Sequence, residues 1–138
     1  MIRKTLLTII SIASLSAAAH AEIRIAIDVS GDNVDIRNSV ESAFRNALSN
    51  IPDVALTSDN PDATIYVSAM PANGYIAFST AAKQSNGAFG GGGLATFPPY
   101  RLQASVDNEV KYLSQHLLHN LNKMKEQAAI DAAVAARK

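Results

Sequence analysis

This chain has no cysteine, no net charge and no long apolar run beyond its first residues. Without cysteine there can be no disulfide, thiolate metal ligand or thiol nucleophile, and no bacterial lipid anchor of the kind carried on cysteine. The 12 basic and 12 acidic residues balance, and no block of Lys and Arg marks a phosphate-binding surface, so nucleic acid is excluded as a partner. Catalytic signatures are also missing. No serine stands in a G-x-S-x-G elbow, and no nucleophile, base and oxyanion set can be assembled from spacing, so the chain reads as a non-enzyme.

What is present first is an address. Arg3 and Lys4 precede a short apolar run of Leu6, Leu7, Ile9, Ile10, Ile12 and Leu15, and Ala19-His20-Ala21 has the small-x-small form that a signal peptidase accepts. Residues 1–21 are therefore expected to be a leader cleaved before Glu22, sending the protein to the periplasm or outside the cell. The run is too short to span a bilayer, and no later segment approaches the roughly 20 apolar residues required. About 120 residues remain, enough for a single core.

Ile23, Ile25, Ile27 and Val29 alternate with Arg24, Ala26 and Asp28, the period of a half-buried strand. Gly31-Asp32-Asn33 breaks it, with Asp32 or Asn33 suited to cap a helix whose apolar stripe is Ile36, Val40, Phe44, Ala47, Leu48 and Ile51. Pro52 ends that helix. Further strands are expected over Val54–Leu56, Ala63–Ala69, Tyr75–Ala82 and Tyr100–Val106, the third and fourth joined by a tight reversal at Pro71–Gly74. A loop fills Gln84–Pro99. A final helix is expected from Asp107 or Asn108, striped by Val110, Leu113, Leu117, Leu121, Met124 and Ala128. The expected fold is α+β: a mainly antiparallel sheet of about five strands with two helices on one face, in the order β-α-β-β-β-β-α. The domain should span 22–126, with an Ala-rich helical tail over 127–138 that projects or frays.

Ile23-Arg24-Ile25-Ala26-Ile27, the helix after it and the strand opened by Asn60-Pro61-Asp62-Ala63-Thr64-Ile65-Tyr66-Val67 resemble, in element order, small bacterial envelope accessory domains of β-α-β-β type. These include the N-terminal domain of the Tol-system propeller protein, the curli secretion lipoprotein and the activators of penicillin-binding proteins. The resemblance implies an envelope protein as partner.

Two constellations stand out. Gly87 to Pro99 is the least ordinary segment: four glycines, Gly90, Gly91, Gly92 and Gly93, lie between Phe89 and Leu94, and Phe97 follows. It leads to Leu94 and Pro98-Pro99 rather than to Gly-Lys-Ser/Thr, so it is not a phosphate loop. Its apolar groups suit a partner-docking loop. Asp28-Val29-Ser30-Gly31-Asp32 resembles the opening of the metal site of von Willebrand factor A domains. If Asp28, Ser30 and Asp32 gathered, their hard oxygens would suit Ca²⁺ or Mg²⁺. A strand end followed by a helix cap explains the same residues, and no other cofactor is indicated. His116 and His119 fall on the solvated side of the last helix beside Lys123, a poor setting for a cation.

Overall fold

The computed structural model describes residues 22–137; the expected leader lies outside them. Alternation over Ile23–Ser30 produces strand β1 with Ile23 and Ile25 buried. Gly31 ends it where a Cβ would collide with the carbonyl of Ala69 on the neighbouring strand. Asn33 caps α1 (Val34–Ser49), its side-chain oxygen accepting the Ile36 N–H at 3.0 Å, with Asp35 in the positive first turn. Val40, Phe44 and Leu48 bury the predicted stripe.

β2 (Val54–Leu56) is short, whereas β3 (Ala63–Ala72) and β4 (Tyr75–Gln84) each run for ten residues. They are joined at Asn73 (φ 49°) and Gly74 (φ 82°), a turn whose twist matches paired strands. β5 (Phe89–Gly90) and β6 (Leu94–Phe97) both lie against β4, so strand occurs where the sequence suggests a loop. The sheet order is β2-β1-β3-β4-β5, with β6 beside β5 on β4. β1 is parallel to β2 and β3, and every pairing of β4 is antiparallel. The fold is the expected α+β sheet with helices on one face.

The expected strand at Tyr100–Val106 is not formed. Pro99–Arg101 is a turn of 3-10 helix, and α2 runs from Leu102 to Leu113. Tyr100, Leu102, Ala104 and Val106 do alternate, but Leu102 and Val106 also fall four apart, and Val110 and Leu113 continue the same helical face. Burial of Val106, Val110 and Leu113 against α1 and the sheet prevails, and Pro99, with its fixed φ and missing donor, is placed where a helix begins. The last helix thus starts well before Asp107.

A π-helical turn, Ser114–Leu118, follows, and α3 continues from His119 to Ala135. Among the described residues of α3 only Leu121 is buried. Met124 and Ala128, expected on the core stripe, are exposed.

The core lies between the helices and the odd residues of β1 and β3 and the even ones of β4. Among the described residues no element covers the other face of the sheet. Register sets its rows: Asp28 beside Tyr66 and Ala81, Ser30 beside Ser68, Ser79 and Leu94, and Thr64 beside Lys83 and Phe89.

Candidate functional site

The Gly-rich segment is one edge strand interrupted by a bulge. Ala82 pairs with Gly90 and Ser79 with Leu94, so Gly91, Gly92 and Gly93 stand opposite only Thr80 and Ala81. One extra residue in an edge strand bends it and raises its twist.

Two buried-side groups fix this bulge. Thr80, on the helix-covered face of β4, donates its N–H to the Gly93 carbonyl at 2.9 Å and its hydroxyl to Glu109 of α2. The Gly93 N–H is shared between Thr80 Oγ1 at 2.8 Å and Glu109 Oε1 at 2.9 Å. A charged acceptor strengthens such bonds. The chain passes so close that a Cβ at Gly92 would overlap the Thr80 carbonyl, and one at Gly93 would overlap the Glu109 carboxylate. At Gly90 and Gly91 there is room for a side chain. The glycines therefore have different jobs, and only the last two are demanded by close approach.

The latch determines what the segment presents. Phe89 and Leu94 are 71% and 80% exposed and pair with Lys83 and Ser79 on the open face. Lys83 Nζ lies 5.7 Å from the centre of the Phe89 ring, within cation–π range. Tyr66, Met70 and Tyr75 are exposed on the same face. Phe97 points the other way: it is 5% exposed and meets Phe78 edge-on at 5.4 Å. It belongs to the core, leaving Phe89 and Leu94 as the segment's outward apolar groups.

Asp28 and Ser30 also lie on the open face, lining with Tyr66, Ser68 and Ser79 a shallow depression of about 260 Å³. Ser30 Oγ donates to the Val67 carbonyl at 3.4 Å. Asp32 falls beyond the strand end. Among the described residues no three His, Cys, Asp or Glu side chains group closely enough to hold a metal ion. The histidines part company as well. His116 meets the Tyr112 ring at a tilt of 56° with ring centres 4.6 Å apart, whereas His119 lines a groove with Asp53, Ser114 and Asn122.

Sequence reasoning missed the pairing of Thr80 with Glu109, because residues 29 apart on a strand and a helix carry no shared local pattern. It also missed Asp62. This carboxylate accepts the Arg24 N–H at 2.7 Å and the Lys125 ammonium at 2.8 Å, tying α3 to the start of β3. Lys125 also donates to the Glu22 carbonyl at 2.6 Å.

Burial raises the Asp62 pKa, but the Arg24 N–H and the Lys125 and Arg24 charges together outweigh it and hold the carboxyl below its ordinary 3.8. A depressed native pKa contributes stability that is complete above the unfolded value and is lost as pH falls through the folded one. Asp62→Asn should accordingly unfold more easily than the parent at neutral pH, with the gap closing below pH 3.8. Urea midpoints measured from pH 7 to pH 2 check this.

No family model matches the chain, and no curated protein matches it in sequence. Solved structures do resemble it. A PelC variant dodecamer from Paraburkholderia phytofirmans aligns over 70% of this chain and 89% of its own, at 18% identity and a TM-score of 0.46. The C-terminal domain of LpoB from Salmonella enterica aligns over 59% and 87%, at 13% identity and 0.47. A ribosomal subunit interface protein from Coxiella burnetii aligns over 73% and 98%, at 17% identity and 0.46. The likeness is one of architecture at low identity. Among the described residues no helix is long and apolar enough to cross a membrane.

Proposed function

We propose that this chain is an exported, non-catalytic accessory protein that engages an envelope protein partner through its Gly87–Pro99 segment. Residues 1–21 are its cleaved leader, residues 22–126 its domain and residues 127–138 its helical tail, and the periplasm is its place of work. The observation that carries the reading is the outward fixing of Phe89 and Leu94. Both are large, apolar and more than two-thirds exposed, yet they sit on a strand locked to Thr80 and Glu109 rather than on a free linker. Holding apolar anchors in place before binding lowers the ordering cost of an interface, and a few well-buried anchors carry most of an interface's energy.

The test is crosslinking in the periplasm with the intact protein and the Phe89→Ser/Leu94→Ser variant side by side. The expected result is a discrete partner captured by the intact protein and lost with the variant, while the two give the same circular dichroism. Equal capture by both would remove the loop from the interface.

A further inference from the structure

Among the described residues, β1 has no strand on its β2 side over its second half. β2 stops at Leu56, opposite Ile25, so Ile27 and Val29 extend past it. The ladder shows which backbone groups face that edge. Ile23 N–H donates to the Asp53 carbonyl at 2.7 Å and the Ile25 carbonyl accepts Thr57 N–H at 2.9 Å, whereas the Arg24 carbonyl accepts Asp62 N–H on the β3 side at 2.7 Å. Odd residues of β1 therefore point away from β3. The N–H and C=O of Ile27 and Val29 are directed at the open edge, and among the described residues no loop or cap hydrogen bond takes them up.

Edge strands are ordinarily protected by proline, lysine or a bulge. This stretch has none of these three, and Asp28 is its one charged side chain: Ile27-Asp28-Val29-Ser30 is regular strand throughout. Ile27 and Val29 are half-buried against the core, and the exposed Asp28 between them makes no ion pair among the described residues.

We propose that this edge of β1 accepts an extended segment of a partner protein as an added strand, with a basic side chain opposite Asp28 and apolar ones opposite Ile27 and Val29. Backbone pairing supplies the affinity of such strand addition, and the alternating side chains supply its selectivity. A second copy fits poorly. The antiparallel register that pairs Ile27 and Val29 of one molecule with Val29 and Ile27 of another sets Asp28 against Asp28, and directly opposed like charges are destabilising. Because β3 and β4 separate β1 from the Gly-rich strand, the proposal does not depend on the loop's role.

The probe is a fluorescein-labelled peptide with the palindromic core Thr-Val-Lys-Val-Thr, which presents the same side chains in either strand direction. Its binding is read by anisotropy and by amide hydrogen exchange. Ile27 and Val29 amides should exchange at least about tenfold more slowly with the peptide bound, as expected when a free edge N–H becomes paired. A Glu-centred peptide should bind about fivefold more weakly, the size of a cross-strand charge effect, and Asp28→Lys should reverse that preference. Phe89→Ser/Leu94→Ser should leave both results unchanged, which separates this edge from the loop. The proposal is overturned if neither peptide binds, if both bind equally, or if protection appears only outside Ile27–Val29. Concentration-dependent protection of these amides in the free protein, with a dimer in sedimentation, would also overturn it by assigning the edge to a second copy.

Discussion

Phe78→Ala is expected to lose about 3–5 kcal/mol of folding stability, the range for truncating a large buried aromatic. Phe78 is 1% exposed and occupies the middle of an aromatic chain. It meets Phe44 of α1 edge-on at 5.4 Å and 74°, and Phe97 of β6 at 5.4 Å and 65°. Truncation removes the apolar transfer energy, forfeits two quadrupole-favoured contacts and leaves a void that three elements must close around. Against a usual total of about 5–15 kcal/mol, that is enough to leave the domain marginal. Urea unfolding checks it: the midpoint should fall while the slope stays the same. Tyr100→Ala is the companion control, because Tyr100 is 86% exposed and should shift stability by less than about 0.5 kcal/mol.

The second large effect belongs to the bulge. Gly92→Ala should cost about 2–3 kcal/mol, the upper range for single substitutions that force the backbone to move. The added methyl would meet the Thr80 carbonyl, a backbone atom that cannot rotate aside. Relief requires β6 to lift from β4, which loosens the Thr80 and Glu109 bonds to Gly93. Gly91→Ala meets only the distant Tyr112 hydroxyl and should be close to neutral. Thermal melts of both variants, with exchange rates for the Thr80 and Gly93 amides, separate a local strain from mere loss of glycine flexibility. Equal destabilisation by the two variants would show that close approach at Gly92 is not what matters.

Strands β1, β3 and β4 and helix α1 were legible because burial on one face writes a strict period into the residues. Ile23 through Val29 repeat every two, Val40, Phe44 and Leu48 every four, and Asn33 caps where a short polar side chain was required. Tyr100–Val106 misleads because positions two and four apart coincide. The decision lay further along, in Val110 and Leu113, which fit only the helical face. The candidate site was half legible. The glycine run and its flanking apolar residues singled out the segment, but nothing local separated Phe97, turned inward to Phe78, from Phe89 and Leu94, turned outward. That division follows from the one-residue bulge and from a latch whose partners are distant in sequence. Four consecutive glycines beside a strand were the available signal for such a bulge.

The π turn at Ser114–Leu118 has a consequence for everything after it. A widened turn holds one residue more than an α turn, and one residue amounts to about 100° of rotation about the helix axis. Leu117 and Leu118 are both buried there, while Lys125, two turns onward, arrives facing Asp62. The extra residue thus works as an angular offset. The bearing of α3 is set by counting residues in that turn, and the ion pair at Asp62 fastens a helix already aimed.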